Sequence, residues 1–252
     1  METQEKTRMP VFQSAAKKSD LKVIIFDLDD TLYDEVDYCK SGLYAAAGFL
    51  AETIEDLAVD DIFNAFWEQF CKGNQTQTFN FAIEKLGFSY NDELIEELIK
   101  SYREHKPKIK LPEDSLAVLK QLRKKYTLAL LTDGFLPAQK LKVEALKIEK
   151  FFSCIVYTEE LGRDYWKPSP EGFERILQTF KIQPENAVYI GDNEKKDFIA
   201  PNMLGFQTIQ LIRDAHIHTT DCSKGEYAAK YIVKNISLLP DLLQQIQINN
   251  QL

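Results

Sequence analysis

The sequence lacks any long apolar segment. None of its 252 residues belongs to a run that approaches the ~20 apolar residues of a membrane-spanning helix. Residues 1–20 are polar and of mixed charge, without the apolar centre of a secretory signal, and we expect a disordered tail there. These absences predict a cytoplasmic protein that has no membrane partner.

Cysteine is scarce, and positive charge is outnumbered. The four cysteines are widely spaced and form no CxxC pair, which favours free thiols in a reducing compartment. Lysine and arginine together number 31 against 39 acidic residues, giving a net charge of −8. The lysine-rich pieces 106–110 and 123–125 are short and flanked by acidic stretches, so they predict solvated surface. No nucleic-acid partner is expected, because such proteins carry a basic face or stripe.

Apolar runs of strand length recur along the chain. Short, continuous runs of this kind are typical of strands buried on both faces of a parallel sheet. They occupy 23–26, 127–131, 152–157, 187–190 and 207–212, with a weaker run at 230–233. Helical spacing of apolar residues lies between most of them, at 114–125, 136–147, 169–180 and 194–203. This alternation predicts an α/β fold with a doubly wound parallel sheet.

One interval is too long for a single crossover. Residues 32–126 separate the first two apolar runs, whereas a strand–helix–strand unit needs only ~30 residues. The surplus carries helical patterns, which lie at 36–55, 57–72, 76–86 and 92–104. We therefore predict a helical domain at 35–107, inserted into an α/β core formed by 21–34 and 108–252. The Gln/Asn-rich end, 244–251, is expected to fray.

A cluster of acids follows the first apolar run. Asp27-Leu28-Asp29-Asp30-Thr31 begins where that run ends, and ligands of open α/β sheets bind at the carboxyl ends of strands. In an extended segment Asp27 and Asp29 point to the same side, because side chains alternate with a period of two. One carboxylate can then attack while the other donates a proton and later activates water. A turn or helix-capping role would explain one acid but not the group.

Two further sites offer donors to an anion. Thr132 ends the next apolar run, and its hydroxyl with free backbone N–H groups at a helix start would form a phosphate cradle. A plain strand-to-helix turn is the alternative there. Lys167 precedes a helix that starts with proline, and it could balance the charges of aspartate and phosphate. Taken alone, it is typical of a surface lysine.

The fourth site, Gly191-Asp192, again follows an apolar run. Mg²⁺ prefers one or two carboxylates completed by water and phosphate oxygens, and Asp192 at a strand tip could supply one. Asp197 lies further along the same loop, where it could orient the ligands. All four sites fall at the carboxyl ends of successive predicted strands, and their chemistry is complementary. This order favours one shared site over four unrelated turns.

These motifs resemble those of the haloacid dehalogenase superfamily of aspartate-nucleophile phosphatases. The similarity rests on Asp27-Leu28-Asp29-Asp30-Thr31, Thr132, Lys167-Pro168 and Gly191-Asp192 with Asp197, and it covers roughly residues 21–215. The helical insertion after the first motif is similar to that of the subclass with a helical cap. That subclass includes phosphoglycolate phosphatases, sialic-acid phosphatases and nucleotidases.

The resemblance implies a role for each acid. Asp27 would form an aspartyl-phosphate, and Asp29 would act as general acid and then as general base. Mg²⁺ would be held by Asp27, by the backbone carbonyl of Asp29 and by Asp192. Asn193 and Asp197 would sit around the metal.

For the phosphate, the resemblance implies binding by Thr132 together with the backbone amides of Asp133 and Gly134. Lys167 would neutralise charge. Asp133 departs from related sequences, which often carry asparagine there. The change is harmless if only its backbone binds, whereas an inward-facing carboxylate would repel phosphate.

The resulting prediction is a Mg²⁺-dependent phosphohydrolase that cleaves a small phosphomonoester, either a sugar phosphate or a nucleoside monophosphate. A phosphomutase could share every residue named above, and a non-catalytic binding protein on the same scaffold is an alternative of a different class. A dehalogenase would need no proton donor such as Asp29. The choice between monomer and homodimer stays open.

Residues near the expected crevice have two interpretations. Tyr33, Asp34 and Glu35 lie where the chain enters the helical insertion, and they either line the pocket or serve as hinge and capping residues. His216 and His218 form a short HxH motif, but a zinc site would need a third ligand.

Overall fold

Six short strands form one parallel sheet in the computed structural model, which describes residues 20–54, 57–213 and 225–250. The strands are β1 (Val23–Phe26), β2 (Thr127–Thr132), β3 (Cys154–Tyr157), β4 (Ala187–Gly191), β5 (Gln207–Leu211) and β6 (Tyr231–Val233). Their order across the sheet is β3-β2-β1-β4-β5-β6. The interior strand β1 is therefore hydrogen-bonded to β2 on one side and to β4 on the other.

The residues of β1 alternate between two hydrophobic cores. Ile24 and Phe26 belong to one core, and Val23 and Ile25 belong to the other. All four side chains are buried. This is the pattern of a parallel strand covered on both faces, and it explains why the run is apolar without interruption.

Helices cover both faces of the sheet. The α-helices of the described residues are α1 (Glu35–Thr53), α2 (Val59–Cys71), α3 (Thr78–Lys85), α4 (Asp92–Glu104), α5 (Glu113–Leu122), α6 (Ala138–Leu146), α7 (Glu171–Phe180), α8 (Ile199–Leu204) and α9 (Leu239–Asn249). Helices α5, α6 and α9 pack into the core that contains Ile24, and α7 and α8 pack into the core that contains Val23. The prediction of a doubly wound parallel sheet is confirmed.

Helices α1 to α4 form the insertion between β1 and α5. They enclose a third hydrophobic core, in which Leu50 of α1, Phe66 of α2, Ile83 of α3 and Leu98 of α4 are fully buried. Apolar residues at helical spacing on each helix supply the face that packs inward. The predicted helical insertion is confirmed, while the boundaries 21–34, 35–107 and 108–252 stay a prediction.

The helix predicted at 194–203 is wrong over its first half. Helix α8 begins only at Ile199. The carboxylate of Asp197 accepts the backbone N–H groups of Asp192 and Asn193, at 3.2 and 2.9 Å, and holds the preceding residues in a turn. Side-chain acceptors of this kind compete with helical hydrogen bonds, so the helix starts late.

The Gln/Asn-rich end is helical, so the expected fraying is wrong for most of 244–251. Helix α9 extends to Asn249. Leu243 and Ile246 are buried in the core that contains Ile24, and Gln247 accepts the backbone N–H of Leu21 at 2.7 Å. Apolar residues spaced along one helix face outweigh the polar composition of this end.

Some predictions fall outside the described residues. These are residues 1–19 of the expected tail, the pair His216 and His218, and the fourth cysteine, Cys222. Within the ranges that the structure describes, no helix has the length and apolar character needed to cross a membrane.

Candidate active site

The predicted acids meet at the carboxyl ends of β1 and β4. Asp27 follows β1, and its backbone N–H donates to the carbonyl of Ile190 in β4 at 2.8 Å. Asp192 follows β4 directly. Carboxylate oxygens of Asp27, Asp192 and Asp197 all lie within 4.8 Å of one another, and all three residues are buried. The two strand ends thus bring together acids that are about 165 positions apart in the chain. Ligands of open parallel sheets bind at this point, where the strand order reverses.

Lys167 lies at the centre of this cluster. Its Nζ atom donates to Asp27 at 2.7 Å, to Asp197 at 2.8 Å and to the hydroxyl of Tyr189 at 2.8 Å. Only 1% of the lysine side chain is exposed. Burial alone would lower the pKa of Lys167, but the carboxylates of Asp197 and Asp27 hold that pKa well above its usual value. This lysine is a buried cation and not the surface residue that its isolated position would indicate.

The cluster carries more negative charge than its lysine offsets. Burial raises the pKa of Asp27 to about 6 in spite of the opposing charge of Lys167. Burial, and then the carboxylates of Asp197 and Asp27, hold the pKa of Asp192 well above its usual range. Three buried carboxylates, two of which bind Lys167, form an all-oxygen donor set. Such a set fits a hard divalent cation of the Mg²⁺ type.

A glycine makes the approach of Asp197 possible. A Cβ atom added at Gly191 would lie 2.5 Å from the Asp197 Oδ2 atom. Any larger residue at the end of β4 would therefore displace the carboxylate that binds Lys167 and the backbone of Asp192. Asn193 accepts the backbone N–H of Lys195 through its side-chain oxygen at 3.0 Å, so this contact lies within its own loop.

Asp29 is bound by a second, separate lysine. Its Oδ1 atom accepts from Lys142 at 2.8 Å and from the Tyr33 hydroxyl at 2.5 Å, and its Oδ2 atom accepts from Gln139 at 2.9 Å. Burial would raise the pKa of Asp29, but Lys142 and these hydrogen bonds lower it below its usual value. Asp29 is therefore held as a carboxylate, with Glu35 at 3.5 Å from the same Lys142 ammonium group.

Gln139 connects the loop after β2 to Asp29. Gln139 donates to the hydroxyl of Thr132 at 2.6 Å and to the carbonyl of Asp133 at 2.7 Å, in addition to Asp29. Gly134 has a φ of 140°, and a Cβ atom there would lie 2.7 Å from the Gln139 side chain. Only glycine accommodates both the backbone conformation and the close contact.

The Asp133 carboxylate is engaged within the protein. It accepts from the Thr158 hydroxyl at 2.8 Å and from the backbone N–H of Lys167 at 3.2 Å, and Lys196 lies 3.9 Å away. Its negative charge is therefore used to tie the loop after β2 to the segment that carries Lys167. Because these contacts hold the Asp133 carboxylate, it is not the inward-facing acid that would repel phosphate.

The residues where the chain enters the insertion have distinct contacts. Tyr33 donates to Asp29, Asp34 accepts from Arg213 at 2.6 Å, and the backbone N–H of Glu35 donates to Asp30 at 2.8 Å. Tyr33 thus contacts the candidate site, while Asp34 holds the entry to the insertion against the end of β5.

Two contributors were not predicted from the sequence, namely Gln139 and Lys142. Gln139 and Lys142 lie on α6, three residues apart, and both are buried. The signal for them is polar residues on the same face of a helix as its buried apolar residues Val143 and Leu146. A helix that follows a candidate phosphate loop with such a face can be expected to contribute to the site.

Buried acids and lysines thus meet at the carboxyl ends of a parallel sheet, beside an inserted helical domain. A family model described as haloacid dehalogenase-like hydrolase matches residues 21–205, and the chain belongs to this family. The predictions of the superfamily and of an enzyme of its phosphatase type are confirmed.

Characterised relatives extend over most of the chain. Glyceraldehyde 3-phosphate phosphatase of Methanopyrus kandleri is 28% identical over 199 residues, which are 77% of this chain and 84% of the relative. N-acylneuraminate-9-phosphatase of Rattus norvegicus is 27% identical over 257 residues, covering 90% of this chain and 96% of the relative.

Solved structures share the fold at lower identity. A HAD-hydrolase from Bacillus subtilis matches with a TM-score of 0.64 at 20% identity, covering 89% of this chain and 99% of that chain. A protein from Thermotoga maritima described as a β-phosphoglucomutase matches with a TM-score of 0.62 at 18% identity, again over 89% and 99% of the two chains.

Replacement of Glu35 by glutamine is expected to stabilise the protein at pH 8 but not at pH 5. Burial, and then the Asp29 carboxylate, raise the pKa of Glu35 from 4.5 to about 7. When folding raises the pKa of a carboxyl group, the group stabilises the folded state fully at pH values below its pKa in the unfolded chain. This stabilisation is lost as the pH rises through its pKa in the folded protein. At pH 8 the ionised Glu35 therefore lowers the free energy of unfolding by at most about 3 kcal/mol. Glutamine carries no charge and avoids this cost.

The measurement is urea unfolding of the wild type and Glu35→Gln at both pH values, in EDTA. Glu144→Gln is the matched control, because Glu144 is exposed on the same helix as Lys142. A difference between wild type and Glu35→Gln that is equal at pH 5 and pH 8 would contradict the raised pKa.

Proposed function

We propose that the chain is a Mg²⁺-dependent phosphohydrolase that cleaves a small phosphomonoester through an aspartyl-phosphate on Asp27. The observation that supports this most directly is the buried cluster of three carboxylates, Asp27, Asp192 and Asp197, two of which bind Lys167. Asp27 is a carboxylate nucleophile beside a fixed cation, which favours attack on a phosphate dianion.

The reaction has two steps in this proposal. In the first, an oxygen of Asp27 forms a bond to phosphorus while the bond from phosphorus to the leaving-group oxygen breaks, and Asp29 gives that oxygen a proton. In the second, Asp29 takes a proton from water, the water oxygen attacks phosphorus, and the bond to Asp27 breaks. Thr132 and the backbone amides of Asp133 and Gly134 bind the phosphoryl oxygens during both steps.

The surroundings of Asp29 suit the second step as they stand, because Lys142 keeps its carboxylate ionised. For the first step Asp29 must acquire a proton. An entering phosphate dianion places a like charge nearby, and like charges raise the pKa of a carboxyl group. The substrate itself therefore favours the protonated form that the first step uses.

The metal ligands in this proposal are those that the family resemblance implies, and the cluster of Asp27, Asp192 and Asp197 supports them. Asp27, the backbone carbonyl of Asp29 and Asp192 would hold Mg²⁺, with Asn193 and Asp197 around it. When bound, the metal would offset charge on the phosphoryl group and orient it toward Asp27. Lys167 would remain the fixed cation bound to the Asp27 carboxylate.

The names of the relatives support a small phosphorylated metabolite as substrate. Relatives named for glyceraldehyde 3-phosphate and for N-acylneuraminate 9-phosphate both hydrolyse a phosphate ester of a small polyhydroxylated molecule. They favour a sugar phosphate over a nucleoside monophosphate, and hydrolysis over a phosphomutase reaction. We also propose a cytoplasmic setting, consistent with the free thiols of Cys39, Cys71 and Cys154, and a monomer or homodimer.

The test is phosphate release from glyceraldehyde 3-phosphate, N-acylneuraminate 9-phosphate, nucleoside monophosphates and p-nitrophenyl phosphate, with Mg²⁺ and with EDTA. We expect release that needs Mg²⁺ and that is fastest with a sugar phosphate. Return of the phosphoryl group to the sugar would favour a mutase. No release by folded protein from any compound would contradict the proposal.

A further inference from the structure

A cavity of about 530 Å³ lies in the helical insertion, and its lining includes residues that neighbour the candidate active site. Its lining includes Glu35, Arg103 and Phe135, and also the polar side chains of Gln75, Thr76 and Asn80. Its volume lies within the range of about 300–1,000 Å³ typical of small-molecule sites. It can therefore hold a leaving group of several carbon atoms.

Two of the lining residues, Glu35 and Phe135, adjoin the groups proposed to react. Glu35 lies 3.5 Å from the Lys142 ammonium group, which in turn binds Asp29. Phe135 directly follows Gly134 of the loop proposed to bind phosphate. A phosphoryl group at Asp27 would thus direct its leaving group toward this cavity.

Arg103 brings a positive charge to the same cavity. It lies in the last turn of α4, and its guanidinium carbon is 3.5 Å from the centre of the Phe135 ring. Within the described residues, no carboxylate lies at ion-pair distance from it. Burial, and then the charge of Arg163, lower the pKa of Arg103, as expected for a cation placed near another cation.

A second arginine against the same ring has a partner. The guanidinium carbon of Arg163 is 4.2 Å from the centre of the Phe135 ring, and Arg163 pairs with Glu159 at 3.7 Å. One guanidinium group is therefore left to bind an anion. A single guanidinium group matches the single negative charge of a carboxylate better than the double charge of a second phosphate. The two carboxylate oxygens also fit its planar arrangement of N–H donors.

We infer that Arg103 binds a carboxylate on the leaving group, and that the preferred substrates are phosphomonoesters of polyhydroxy acids. The hydroxyl groups of such a leaving group would meet Gln75, Thr76 and Asn80. The inference rests on the proposed function, since it names the class of substrate that the same site cleaves. Arg103 is then a specificity-determining residue supplied by the helical insertion.

Gluconate 6-phosphate and glucitol 6-phosphate form a matched pair, because they differ only in a carboxylate against a hydroxymethyl group. We expect wild-type kcat/KM to favour the acid by about tenfold to a hundredfold, the range for a charge-assisted pair. Arg103→Met should bring the ratio close to one, and Arg103→Lys should retain part of it. Arg123→Met is the control, because Arg123 also lies over a phenylalanine ring, Phe151, away from the cavity. It should keep the wild-type ratio.

Binding of both compounds to Asp27→Asn, measured by calorimetry, separates recognition from turnover. Tighter binding of the acid that is lost on adding Arg103→Met supports the inference even if no compound is hydrolysed, and in that case the proposed function alone fails. Equal affinity for the two compounds, or a preference that survives Arg103→Met, would overturn the inference while Mg²⁺-dependent hydrolysis could stand.

Discussion

Asp27→Asn is expected to lower phosphate release by about 10⁴-fold or more, because it removes the nucleophile of both steps. Asparagine keeps the size of the side chain, and its carbonyl oxygen can still accept from Lys167. The fold should therefore be retained, and thermal unfolding of the variant provides that check. A variant that turns over p-nitrophenyl phosphate at near the wild-type rate would exclude Asp27 as the nucleophile.

Asp29→Asn is the matched partner of this variant, two residues further along the chain. With p-nitrophenyl phosphate, whose leaving group needs no proton, the first step should proceed and the second should slow by about 10²- to 10⁴-fold. Phosphorylated protein should then accumulate, and intact mass spectrometry would detect the added phosphoryl group. Accumulation in Asp29→Asn but not in Asp27→Asn would assign the two roles separately.

Lys167→Met is expected to destabilise the metal-free protein by about 3–5 kcal/mol, because it leaves buried carboxylates without their cation. The exposed fractions of Lys167, Asp27 and Asp197 are 1%, 3% and 0%, so water cannot replace the lost ammonium group. Urea unfolding in EDTA measures the loss. Adding Asp197→Asn to Lys167→Met should recover part of it, since one uncompensated charge is then removed.

Mg²⁺ gives this prediction a second measurement. A cation bound at the acid cluster offsets the same charges, so Mg²⁺ should raise the melting temperature of Lys167→Met more than that of the wild type. Lys140→Met is the control, because Lys140 pairs with Glu160 at the surface and its loss should cost less than about 1 kcal/mol. Equal losses for the two lysine variants would show that Lys167 does not neutralise buried charge.

The central strands and the positions of the acids were predictable because each depends on local sequence. A run such as Val23–Phe26 is apolar at every position only if both faces are covered, and the acids that follow it mark the end of the strand. The late start of α8 and the helical end at Asn249 were not predictable in this way. Both depend on contacts with distant residues, such as the bond between Gln247 and Leu21.

The same distinction explains which site residues were found. Asp27 and Asp192 follow strands, and the topology of a parallel sheet brings strand ends together. Lys142 and Arg103 lie within helices. The spacing of apolar residues on α6 indicates that Lys142 faces inward, but no local pattern identifies Asp29 as its partner or Phe135 as the partner of Arg103. Their contributions follow from how the helices of the core and of the insertion are oriented.

The pairing of β1 has a consequence for folding during translation. Val23 lies opposite Thr127 of β2 and Ala187 of β4, so both neighbours of the first strand are synthesised long after it. Helices α1 to α4, by contrast, form one continuous stretch with a hydrophobic core of their own. We expect these helices to fold on the ribosome before β2 and β4 have been synthesised, since domains fold as units and the amino-terminal domain folds first. The loop that carries Asp27 then becomes ordered only when β4 has emerged, because Asp27 is hydrogen-bonded to Ile190. We therefore expect a chain truncated before Gly191 to be inactive toward phosphate esters.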